Sequence, residues 1–99
     1  MRPVLHGDVV AVARLLRGLP AAARRTRMLQ VIALADAADT HRKQTGRPHP
    51  LWGNGSLMGV VLRDVKGSEP PLDDTDYCRC LAMVFDMVSG LSLRSQSLA

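Results

Sequence analysis

Residues 46–58 read Gly-Arg-Pro-His-Pro-Leu-Trp-Gly-Asn-Gly-Ser-Leu-Met and gather the side chains best suited to recognition chemistry. The only Trp of the chain lies here, among two of its six Pro and three of its eight Gly, so stiff and freely turning backbone alternate around one large aromatic. Gly53-Asn54-Gly55-Ser56 leading into a helix can offer consecutive backbone N–H groups to an anion, with the helix dipole adding to the field. Arg47 and His49 can supply side-chain charge, and Trp52 can stack on a base or pack an apolar ligand. No lysine of the Walker type follows and no strand precedes, so the motif is neither a P-loop nor a dinucleotide fingerprint. The plainer alternative is structural: glycines for a tight turn, Ser56 as a helix cap, Pro48 and Pro50 as stiffeners, and Trp52 as filler at the end of a bundle. Arg47, His49, Trp52 and Asn54 are the expected partner-binding residues.

A second constellation is the arginine set Arg14, Arg17, Arg24, Arg25 and Arg27, which flanks a tight turn between two helices. Such residues make phosphate contacts, with strong salt dependence and no base specificity. A helix-turn-helix is possible, but the second helix is long for a recognition helix and shows Ala and Asp along its middle. The plainer reading is a solvated basic face.

Catalysis is poorly supported. His6, His41 and His49 fall in separate segments, and no His-x-x-x-His or Cys-x-x-Cys pair offers a metal site. Cys78 and Cys80, at i and i+2 of a helix, point about 200° apart, which disfavours both a disulfide and a shared metal. Ser56 has no evident base. Neither a cofactor nor an enzymatic activity is expected.

The elements that must position these residues read as helices. Asp8 is an expected N-cap, followed by Val9, Val12, Ala13, Leu16 and Leu19 at helical spacing. Gly18 and Pro20 punctuate the end of this helix. A second runs from Ala21 to about Thr45, with Met28, Val31, Ile32, Ala35 and Ala38 as its buried stripe and Arg24, Arg25, Arg27, Arg42 and Lys43 along its sides. Asp39 precedes Lys43 by four residues, the favourable order for a helical ion pair. Gly46 is the expected left-handed stop. Asn54 or Ser56 caps a short helix from Leu57 to about Arg63, and a polar loop spans Asp64 to Leu72. Asp73 or Asp74 then caps a last helix, with Tyr77, Leu81, Val84, Phe85 and Val88 inside and Gly90 at its end. The prediction is an all-α bundle of about four helices, with an N-terminal αα-hairpin and a Pro/Gly-rich connector. It forms a single domain over residues 1–90, with a flexible tail over 91–99.

Composition agrees. Apolar residues make up 46% of the chain but aromatics only 3%, which favours helix over a conventional β core. Residues 1–50 carry nine Arg or Lys against three Asp, whereas residues 51–99 carry four against six acids, so a basic half precedes a mildly acidic one. The halves can attract one another within the fold or between copies, or the basic half can meet a polyanion. Two cysteines without a framework, no signal-peptide pattern and no long apolar run point to the cytoplasm rather than a membrane.

Arg-Pro-His-Pro-Leu-Trp-Gly-Asn-Gly-Ser-Leu-Met, followed by Asp-Asp-Thr-Asp-Tyr-Cys-Arg-Cys-Leu, resembles small uncharacterised proteins of Rhodobacter- and Roseobacter-type bacteria. The resemblance covers residues 1–90 and implies a bacterial cytoplasmic protein, with no activity attached. The leading expectation is a non-enzymatic helical interaction protein, an adaptor or regulator, that recognises another protein or a second copy of itself through Gly46–Met58. The alternative is a nucleic-acid-binding accessory protein using the arginine-rich hairpin. Met58, Met83 and Met87 can furnish an adaptable apolar groove, although such residues are more often core.

Overall fold

The computed structural model describes residues 1–98, with side chains described through Leu91. Four helices follow in order: α1 (His6–Arg17), α2 (Ala21–Thr45), α3 (Leu57–Val61) and α4 (Thr75–Leu98). Among the described residues there is no strand, only an isolated antiparallel bridge between His49 and Gly53. The all-α architecture is the one its apolar spacing predicts. No helix among the described residues is long and apolar enough to cross a membrane.

α1 is the central element. It packs chiefly against α4 and α3 and less extensively against α2. Val9, Ala11, Val12, Ala13 and Leu16 are all buried, a wider arc than one apolar stripe, because neighbours cover α1 from several sides. Met28, Val31 and Ala35 of α2, Leu57, Val60 and Val61 of α3, and Tyr77, Cys80 and Val84 of α4 complete the core.

The helix ends have identifiable causes. Gly46 adopts φ 73° and donates its N–H to the Arg42 carbonyl at 2.8 Å, stopping α2 where expected. The Ser56 hydroxyl accepts the Gly59 N–H at 3.0 Å and caps α3. Asp74, rather than Asp73, takes the N-terminal position of α4 by accepting the Tyr77 N–H at 2.9 Å.

Several local expectations need correction. Asp8 is not the N-cap of α1: that position falls three residues earlier, at Leu5, and Asp8 sits in the first turn. Its carboxylate reaches back to accept the Leu5 N–H at 2.9 Å, the second half of a capping box. Phe85 is not core but 49% exposed, since Tyr77, Cys80 and Val84 define the buried line and Phe85 lies well round the helix from it. Gly90 does not end α4, which continues to Leu98. Gly90 does not have a positive φ, so it makes no left-handed stop of the Gly46 kind. α3 closes at Val61, short of Arg63. The side chains of residues 92–98, and all of Ala99, where the flexible tail is expected, lie outside the described residues.

Candidate functional site: the tryptophan connector

The connector folds back over the C-terminal half of α2. Past the left-handed Gly46, the chain reverses and brings His49 against His41, with ring centroids 5.0 Å apart in an edge-on arrangement. His49 in turn stacks on Trp52, with centroids 6.4 Å apart and planes inclined by 23°. Two histidines from separate segments thereby join one aromatic cluster. The only sequence signal for this meeting is the reversal encoded at Gly46.

The turn that carries Trp52 is closed by hydrogen bonds that engage each of its backbone N–H groups. His49 and Gly53 exchange backbone bonds of 2.7 and 3.1 Å. Inside this bridge, Nδ1 of His49 accepts the N–H groups of Leu51 (3.0 Å) and Trp52 (3.1 Å). Nδ1 therefore carries no proton in this arrangement, and the imidazole acts as a turn cap much as an Asn or Asp side chain does. Arg63 donates to the Leu51 carbonyl at 3.1 Å and ties the turn to the segment after α3. Trp52 is half-buried against the core, while Leu51 projects at the tip with 54% of its surface exposed.

Of the expected contact residues, Arg47 is exposed, and its side chain has no hydrogen-bond or ion-pair partner among the described residues. His49 and Trp52 form the face just described. Asn54 is turned inward, where its Oδ1 accepts both the N–H and the hydroxyl of Ser56, at 3.1 and 2.8 Å. Leu51, which sequence reasoning passed over, is the most exposed apolar side chain of the turn; no periodic pattern distinguishes it from filler.

No backbone N–H of positions 53–56 meets an anion among the described residues; the carboxylate nearby binds the first turn of α3 instead. Asp8 Oδ1 accepts the Met58 N–H at 2.9 Å while its other oxygen holds Leu5, so one buried carboxylate serves the starts of both α1 and α3. A cavity of about 490 Å³ lies beside this junction, lined by residues including Arg2, Leu5, Asp8, Asn54 and Met58. Beneath the turn, Gly55 rests on Asp39, which is buried although it stands on the side of α2. Arg42 at 2.8 Å, Lys43 at 3.0 Å and the α-amino group of Met1 at 3.2 Å surround that carboxylate. The anticipated Asp39–Lys43 pair is thus one of three. Arg42, then Lys43, hold the Asp39 carboxyl well below the usual carboxylate range against the opposing cost of burial.

The arginine set is largely engaged within the molecule. Arg24 is not a side decoration but buried, 7% exposed. It forms a bidentate pair with Asp76 at 2.7 and 2.8 Å, and its Nε donates to the carbonyls of Leu16 (2.9 Å) and Leu19 (3.1 Å) at the end of α1. Arg17 grips Asp74 through Nε at 2.9 Å and Nη2 at 2.6 Å. Arg27 reaches Gln30 at 2.6 Å and Asp64 at 3.4 Å, and Arg14 donates to the Gly67 carbonyl. Only Arg25 of the five has no partner among the described residues. The basic half of the chain therefore closes on the acidic half within the fold.

These pairs set an expected pH profile. Arg17 holds the Asp74 carboxyl below its ordinary value, and Arg24 does the same for Asp76. A carboxyl depressed in the fold stabilises above its unfolded pKa and loses that contribution as pH falls through the folded value. Stability should therefore decline below about pH 4. At the alkaline end, burial first and the Glu69 carboxylate second push the Tyr77 phenol up to about 12; its hydroxyl donates to Glu69 at 2.9 Å. The unfolded chain ionises this tyrosine near pH ~10, so stability should fall again from there towards 12. Urea unfolding across this range checks both limbs; a flat profile below pH 4 would contradict the assigned carboxylate pairs.

Cys78 donates its thiol to the Leu72 carbonyl at 2.8 Å, Cys80 is buried, and neither forms a disulfide. Among the described residues no three His, Cys, Asp or Glu side chains gather where they could hold a metal ion.

A protein-family model described as a domain of unknown function, DUF7742, matches residues 2–88. The chain belongs to that family. The matched span takes in α1, α2, the connector, α3 and α4 as far as Val88. No curated protein and no solved structure matches the chain.

Proposed function

We propose that the protein is a non-enzymatic helical interaction module, an adaptor or regulator, that binds a protein partner through the connector. The contact face consists of Leu51, Trp52, His49 and the side chain of Arg47. The observation that carries this reading is an exposed leucine held at the tip of a turn whose own backbone N–H groups are already hydrogen-bonded. Presenting an apolar side chain from a pre-organised turn reduces the ordering cost of association. Trp and Arg are also the side chains most often found at the energetic centre of interfaces. The face suits a partner segment with an apolar side chain for the Leu51–Trp52 surface and an acidic group for Arg47.

Affinity enrichment from extract of the source organism, with wild-type, Leu51→Asp and Arg25→Asp baits compared quantitatively, tests the proposal. A partner whose recovery drops about tenfold or more with Leu51→Asp, but not with Arg25→Asp, is the expected result. Identical protein sets from wild-type and Leu51→Asp baits would sink it. Trp52→Ala is the poorer probe because Trp52 also packs on the core, so its loss lowers stability whether or not a partner is involved.

Nucleic-acid binding ranks second. Four of its five arginines are engaged in intramolecular bonds, and those bonds would have to loosen for phosphate contact.

A further inference from the structure

We infer that the face between α2 and α4 is a self-association surface, on which two copies pack groove to groove across a two-fold axis. This face is separate from the tryptophan turn, and the inference does not rest on the function proposed above. The two longest helices leave between them a groove of about 190 Å³, lined by Arg25, Leu29 and Ile32 from α2 and by Asp86, Met87 and Leu91 from α4. Leu29 is 51% exposed, and Ile32, Met87 and Leu91 are only half-buried. Gly90, in the same wall, has open space over its Cα, which lets another helix approach closely.

Charge identifies the occupant. The groove carries one cation, Arg25 on α2, and one anion, Asp86 on α4. Both are exposed, and neither has an ion-pair partner among the described residues. A two-fold axis places α2 of one copy against α4 of the other, so Arg25 meets Asp86 twice, and Leu29 of each copy enters the apolar groove of its mate. An interface of this kind must be self-complementary, and a groove with a cation on one wall and an anion on the other satisfies that requirement without any further partner.

Sedimentation velocity of the full chain over a micromolar concentration series tests the inference, with far-UV circular dichroism on each variant to verify folding. The wild type should show a concentration-dependent monomer–dimer equilibrium. Arg25→Asp sets two like-charge pairs across the axis and should raise the dimer Kd about a hundredfold, and Leu29→Glu should do likewise. The double variant Arg25→Asp/Asp86→Arg restores both pairs with inverted sign and should recover most of the lost affinity. Leu51→Asp should leave the equilibrium unchanged, which separates this surface from the tryptophan turn. A wild type that stays monomeric, a dimer indifferent to Arg25→Asp and Leu29→Glu, or a double variant no tighter than the single one would each overturn the proposal.

Discussion

Alanine at Gly55 should lower stability by about 3 kcal/mol, the strain of a left-handed residue added to an overpacked core. Gly55 has φ +96°, and a β-carbon built there falls 2.7 Å from Cβ and 2.8 Å from Cα of Asp39. Those atoms belong to the backbone and first carbon of a buried helical residue, so no flexible side chain can swing aside. Either α2 or the connector must move. The connector is the softer of the two, and its displacement also loosens the bond from the Arg2 N–H to the Gly55 carbonyl, 2.9 Å long. In a domain of this size the change corresponds to a fall in melting temperature of about 10–20 °C. Thermal unfolding followed by circular dichroism measures it, and a shift within the error of the wild type would mean that Gly55 does not rest on α2 as described.

The second large effect is expected at Arg24. Its guanidinium serves three helices: it accompanies α2, satisfies carbonyls at the end of α1 and pairs with Asp76 in the first turn of α4. Arg24→Ala takes the side-chain donor from the Leu16 and Leu19 carbonyls, of which Leu16 keeps the Leu19 N–H, and strips Asp76 of its partner, at a cost of about 3 kcal/mol. Arg24→Lys should rescue little, because a single ammonium cannot span a bidentate carboxylate and two carbonyls at once. Asp76→Ala should cost clearly less than Arg24→Ala, since the Asp76 side chain is half-exposed and its loss leaves the carbonyl contacts in place. Chemical denaturation of the three variants gives the ranking; equal losses for Arg24→Ala and Asp76→Ala would mean that the ion pair, and not the capping of α1, dominates.

The helix frame is legible in the chain because its signals are local. Gly18 and Pro20, Gly46, Ser56 and the acidic run before Tyr77 each act within a turn of where they stand, and each does what its residue type implies. The apolar residues of α2 and α3 likewise announce their buried sides. What could not be read locally are the positions decided by neighbours distant in sequence. Arg24 and Asp39 look like surface charges until α4 and the connector cover them. Phe85 satisfies the helical spacing of a core residue, but α1 and α2 reach only one side of α4. His41 and His49 look unrelated because nothing in their own segments records the chain reversal at Gly46. The connector stands out by its composition, whereas the roles of its residues do not: Asn54 holds Ser56 in place from within, and Leu51 is exposed at the tip.

The carboxylate of Asp8 has a consequence for the order in which the molecule assembles. A helix of five residues closes barely more than one turn, and nucleating that turn in an isolated segment is unfavourable by a factor of about a thousand. α3 therefore has negligible independent existence. Its first-turn donor at Met58 is satisfied from fifty positions away, by a side chain that becomes correctly placed only once α1 is wound. The shortest helix of the bundle is thus a late product, templated by the first turn of the chain. The tryptophan turn that precedes it has no such dependence, because its closing bonds lie within residues 49–53.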